Sequence, residues 1–178
     1  LAGAAGAGRA EARDGGGRSV LHHAAAQGLG DLCAVLLRSG ACDPGAVDDE
    51  GSSALHLAAE AGHHGVCETL LSLTPSGLFD MKDLGGQTAL HVAAWKGCAE
   101  VCGLLAGHGH FGGTNARDRA GRTALHWAAF FGHAACCRAL LREPRFVAAG
   151  ALTWKAPRRE PGEGSTALHL AALGGHAE

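Results

Sequence analysis

A fivefold internal repetition constrains this chain more than any other property of its sequence. The segments Ser19-Val20-Leu21-His22-His23-Ala24-Ala25, Ser53-Ala54-Leu55-His56-Leu57-Ala58-Ala59, Thr88-Ala89-Leu90-His91-Val92-Ala93-Ala94, Thr123-Ala124-Leu125-His126-Trp127-Ala128-Ala129 and Thr166-Ala167-Leu168-His169-Leu170-Ala171-Ala172 are versions of one phrase. Their histidines follow one another at intervals of 34, 35, 35 and 43 residues. A glycine closes each copy six residues after its histidine: Gly28, Gly62, Gly97, Gly132 and Gly175. A period of this size marks stacked repeats, in which a unit too small to bury its own apolar face completes its core against its neighbours.

The unit itself has a readable physical plan. Serine or threonine ahead of an apolar stretch is a helix N-cap, whose oxygen satisfies a backbone N–H left without an intrahelical partner. Leu55, Ala58 and Ala59 fall at helical spacing on one face. The closing glycine then supplies the left-handed residue that ends the helix. A second helix follows, with Val101, Leu104 and Leu105 on one stripe, and a loop returns the chain to an aspartate: Asp14, Asp48, Asp83 or Asp118.

These residues resemble the ankyrin repeat motif, T-P-L-H-x-A-A-x-x-G-H, over nearly the whole chain from about residue 14 to 178. The motif's proline is replaced by Val20, Ala54, Ala89, Ala124 and Ala167. Its final histidine is kept as His63, His133 and His176 but becomes Leu29 and Cys98 in the other copies. The resemblance implies an all-α solenoid of stacked helix-turn-helix units with hairpin loops. Residues 1–13 form a Gly/Ala-rich flank. Units then occupy about 14–47, 48–82, 83–117 and 118–160, with a partial unit at 161–178. The long last interval, with Pro144, Pro157, Pro161, Arg158 and Arg159 inside it, places an extended loop at 143–164. The partial unit has its first helix without its second, so that end is expected to fray. The absence of an initiator methionine and the stop inside a pattern read as a piece of a longer protein.

Composition narrows the function classes. Net charge is −2 with a pI near 6.7, which gives no general pull toward nucleic acid. No apolar run is long enough to span a membrane, and Leu1–Gly8 lacks the basic leader of a signal peptide. Seven cysteines, an odd number without framework spacing, fit a reducing compartment and hence an intracellular setting, cytoplasm or nucleus.

Neither the histidines nor the cysteines form a metal or catalytic set. His22, His56, His91, His126 and His169 hold one repeat position, and equivalent atoms of stacked helices lie about 8–10 Å apart, too far to share a zinc ion with ligands at about 2 Å. The resemblance gives this histidine a structural role, tying neighbouring loops. Cys33, Cys67, Cys102 and Cys137 likewise share one position on the second helix, as small hydrophobes between units, and the same separation excludes disulfides among them. Cys98 and Cys102 are four apart with no second pair. No phosphate-cradling glycine loop and no G-x-S-x-G elbow is present. No metal, no cofactor and no enzyme activity is expected.

In the ankyrin family, partners contact the loop tips and the exposed side of the first helices. Carried over residue by residue, those positions are Asp49, Glu50, Ser52, Glu60 and Ala61 in the second unit. They are Leu84, Gly85, Gln87, Trp95 and Lys96 in the third, and Arg119, Ala120, Arg122, Phe130 and Phe131 in the fourth. Three of the chain's eight aromatic residues thus fall on partner-facing positions, the residue types that dominate interface hot spots. Acidic Glu50 and Glu60 mark one unit and basic Lys96, Arg119 and Arg122 the next two, a polarity able to orient a partner. Trp127, at the position of Leu57 and Val92, is assigned to packing between units. Asn115 stands where the family carries a loop asparagine open to hydroxylation. The resemblance therefore implies a monomeric scaffold or adaptor segment that binds a protein, not nucleic acid, on its concave face. The alternative is the regulatory or substrate-recruiting region of a larger enzyme, ubiquitin-ligase adaptor or ion channel.

Overall fold

In a computed structural model of the chain, the residues described are 12–146 together with 166, 167 and 169. Each of the first four repeats folds as a pair of short helices. The first unit contributes α1 (Val20–Ala26) and α2 (Gly30–Ser39), the second α3 (Ala54–Glu60) and α4 (His64–Leu73). The third contributes α5 (Ala89–Lys96) and α6 (Ala99–Gly107), the fourth α7 (Ala124–Phe130) and α8 (Ala134–Arg142). First helices pack in one row, α1 on α3 on α5 on α7, and second helices in another, α2 on α4 on α6 on α8. The core lies between the rows. Leu21, Leu90, Leu105, Leu140 and Phe111 are fully enclosed there, and each such side chain contributes about 1.5–3 kcal/mol by leaving water.

Helices of seven or eight residues are too short to be stable alone, and a recurring cap fixes where they start. The Ser19 N–H donates to His22 Nδ1 at 3.2 Å, and the Ser19 hydroxyl lies 2.9 Å from the same nitrogen. Ser53 with His56, Thr88 with His91 and Thr123 with His126 repeat the arrangement, as Thr166 does with His169. The other ring nitrogen crosses to the next unit. His22 Nε2 donates to the Ser52 carbonyl at 3.0 Å, His56 to Gln87 at 3.0 Å and His91 to Arg122 at 3.1 Å. A carbonyl can only accept, so Nε2 carries the proton, Nδ1 accepts, and the ring is neutral. Burial holds the His56 pKa below the ordinary range and draws that of His91 down to about 4. The structural role implied for these histidines is the one they fill.

The closing glycines are needed for two separate reasons. Gly97 sits at φ 80°, and a Cβ there would lie 2.9 Å from the His133 ring. That ring seals the unit below by donating from Nε2 to the Trp95 carbonyl at 3.0 Å. His63 does the same to Ala26 at 3.1 Å. Where the motif's histidine is replaced by Cys98, the sulfur fills the space instead, 3.0 Å from where a Gly62 Cβ would stand.

Two expectations are corrected. Glu143–Phe146, assigned to an extended loop by the broken spacing, belong to the fourth unit's own tail. Phe146 is buried in the core, 35 residues after the equivalent Phe111. The Arg145 guanidinium donates to the carbonyls of His108 (2.9 Å), Gly109 (3.3 Å) and Phe111 (3.3 Å) and to that of Ala106. It thus caps the end of α6 from the next unit, while Asn115 Nδ2 donates to the Arg145 carbonyl at 2.7 Å. The remainder of the 143–164 loop, and the fraying of the partial unit, fall outside the described residues. The second correction concerns cysteine. Cys33, Cys67 and Cys102 are fully buried as expected, but in the fourth unit it is Cys136 that is enclosed while Cys137 is half-buried. Cys102 meets Cys136 across the unit boundary. That hydrogen-bonded contact, together with burial, pushes the Cys102 thiol far up, and burial, aided by the neighbouring Cys98, pushes Cys67 up to about 12. Both stay protonated and unreactive at neutral pH.

Candidate functional site

The aspartate of each loop organises the surface next to it. Asp118 Oδ1 accepts the N–H groups of Ala120 at 2.9 Å and Arg122 at 2.8 Å, which closes the loop. Its Oδ2 accepts from Arg122 Nε at 2.9 Å and from Trp127 Nε1 at 3.1 Å. One buried carboxylate therefore fixes a loop, a guanidinium and an indole together. Asp48 repeats the loop contacts with Glu50 and Ser52 and pairs with Arg18 at 3.2 Å, but it has no aromatic neighbour to hold.

Held this way, the Arg122 guanidinium lies 4.0 Å above the Trp127 ring. Trp127 stands 6.3 Å from Trp95 of the neighbouring unit and lies parallel to Phe131 at 6.0 Å. Phe130 meets Phe131 edge-on at 5.0 Å, and Lys96 Nζ caps the far end, 4.0 Å above Trp95. Four aromatic rings and two cations form one continuous group across the third and fourth units. Its outer members remain in water, with Trp95, Phe130 and Phe131 exposed by 36%, 42% and 39%. Cation–ring contacts of this kind are worth about 0.5–1 kcal/mol where exposed and more once a partner removes water.

Of the residues singled out from the sequence, Trp95, Lys96, Arg122, Phe130 and Phe131 come together here. Glu60 joins at the edge through an ion pair with Lys96 at 3.1 Å. Arg119 and Glu50 are exposed on the loop tips, where their backbones join the loops in register: Arg119 N–H donates to Gly85 and the Glu50 carbonyl accepts from Leu84. Trp127 corrects its assignment. It is half-buried between units, and it is also the ring that joins Trp95 to Phe131. Its polar edge and its arginine neighbour four residues after an aspartate were the available signals. The polarity read from the sequence is softened, because Lys96 and Arg122 each already face a carboxylate.

The family model described as ankyrin repeats (3 copies) matches residues 6–76, 21–115 and 78–149. The chain belongs to the ankyrin repeat family. No curated protein matches it. Among the described residues, the ankyrin units hold no group of three or more His, Cys, Asp or Glu side chains arranged to bind a metal ion, and no helix long and apolar enough to cross a membrane. Ankyrin repeats are in general protein-interaction modules, and the fold is typically non-catalytic.

Proposed function

We propose that this ankyrin segment is a scaffold or adaptor that holds a protein partner on the first-helix side of the third and fourth units. The observation that supports it is the exposed ring group of Trp95, Trp127, Phe130 and Phe131, flanked by Lys96 and Arg122. Large rings left in water cost solubility without adding to the core, and grouped on one face they mark an interaction site. Arg119 at the loop tip and Glu50 and Glu60 on the second unit extend the surface and set the partner's direction. Site-specific photo-crosslinking tests the reading. A benzophenone side chain placed at Phe131 or Arg119 should capture the partner, and one at Glu68, exposed on the second-helix row, should not. Capture from Glu68 in preference to Phe131 would move the binding surface to the opposite side.

A further inference from the structure

Each unit shows its neighbours the same positions, so the outer face of the first unit can be compared directly with three covered ones. The residue that opens the first helix is buried against the preceding unit in Ala54 (2% exposed), Ala89 (0%) and Ala124 (1%), yet its counterpart Val20 is 49% exposed. On the second helix Val66, Val101 and Cys136 are exposed by 3%, 1% and 0%, and their counterpart Leu32 by 40%. His63, Cys98 and His133 lie against the closing glycine of the unit before. Their counterpart Leu29 is exposed, as is Val35 beside it. A terminal unit facing water carries polar residues on its outer side. Here the differences run the other way, to larger aliphatic side chains.

The backbone of that face is also set for a neighbour. Loops of adjacent units are joined by one N–H···O bond each: Asp49 to Gly16 at 3.0 Å, Leu84 to Glu50 at 2.9 Å and Arg119 to Gly85 at 3.0 Å. The corresponding donor of the first unit, the Gly15 N–H, has no acceptor among the described residues. The carbonyls of Ser52, Gln87 and Arg122 each take a histidine Nε2 from the preceding unit. Their counterpart, the Arg18 carbonyl, takes only the Asp14 N–H among the described residues. Before Asp14 the sequence Glu11-Ala12-Arg13 parallels Asn115-Ala116-Arg117 before Asp118. Arg13 even repeats the contact of Arg117, each donating to the glycine carbonyl four residues on, at 2.9 and 3.3 Å.

We propose that a further unit of the same repeat, joined in the same polypeptide through residues 1–13, stacks on the face formed by Val20, Leu29, Leu32 and Val35. It would set its closing glycine against Leu29, donate a histidine Nε2–H to the Arg18 carbonyl and accept the Gly15 N–H with a loop carbonyl. The test compares this 178-residue chain with the translation of the full transcript that encodes it. The expected added residues carry a Leu-His-x-Ala-Ala phrase one repeat ahead of Leu21-His22. In the longer chain the Gly15 amide should exchange at least about tenfold more slowly and the Tm should rise by several degrees. Leu32→Asp should cancel that rise while changing the shorter chain little. The proposal is overturned if the encoded residues lack the phrase, or if Gly15 exchanges equally fast in both chains. It is overturned as well if sedimentation shows the 178-residue chain to be a dimer that Leu32→Asp dissociates, which would assign the face to a second copy.

Discussion

The first two units and the third and fourth share a backbone and differ at its surface. Both halves carry the Ser/Thr–His cap, the left-handed closing glycine and the histidine bond to the next unit. At the two positions before the closing glycine the halves diverge. The first half has Ala26-Gln27 and Glu60-Ala61, the second Trp95-Lys96 and Phe130-Phe131. What repeats builds the solenoid, and what fails to repeat lies at its surface. Within one helix the two kinds of residue sit five positions apart: in α5, Leu90 is fully enclosed and Trp95 is exposed.

That division is open to attack in order of expected effect. Leu90→Ala should cost about 3 kcal/mol in urea unfolding, the usual loss for a buried leucine. Trp95→Ala should cost under about 1 kcal/mol, as for a surface change away from core features. Equal losses would erase the distinction between repeating and non-repeating residues. Acid should weaken the repeating part specifically. His56 and His91 are held neutral by burial, with folded pKa values below the ordinary 6.5 and about 4 for His91. The unfolded chain therefore binds protons that the folded chain refuses. Stability is complete above pH 6.5 and falls as the pH drops toward 4, by up to about 1.4 kcal/mol per pH unit for each histidine. Urea titrations at pH 7, 6 and 5 read the slope, and a flat profile would mean that these rings are not enclosed.

Two glycines sharpen the comparison with opposite signs. Gly97→Ala meets the His133 ring at a left-handed φ and should cost about 1–2 kcal/mol. Gly103→Ala, inside α6 with open space around it, should stabilise by about 0.5–1 kcal/mol. Thermal melts of the two variants should move apart. The smallest effect belongs to the surface ion pair of Lys96 with Glu60, both more than a third exposed. Glu60→Gln should change stability by less than about 0.5 kcal/mol, and a larger loss would make the pair part of the fold.

The helix starts, the closing glycines and the buried histidines could be read from the sequence because each lies within one period. Contacts between periods could not. Spacing places Cys102 and Cys136 in their own units, one position out of step, and does not say that the later position of one unit faces the earlier position of the next. The same limit hid Arg145, whose guanidinium caps α6 from across a unit boundary. It also hid the tail role of Glu143–Phe146, masked by an interval that lengthens only after them. Trp127 was missed for a different reason. A large ring at a packing position overfills the space taken by Leu57 or Val92, so its remainder becomes surface. The residues proposed to face a partner were placed by family resemblance, and their assembly into one ring group required coordinates.

The most direct measurement compares the parent with a Trp95→Ala, Phe130→Ala, Phe131→Ala variant. Each is checked for helicity by circular dichroism and then titrated against the protein that the parent retains. With each exposed ring at a hot spot worth about 2 kcal/mol, the variant should keep its helical signal and lose at least about 30-fold in affinity. Undiminished affinity with intact helicity would show that the rings serve packing and that the binding surface lies elsewhere on the chain.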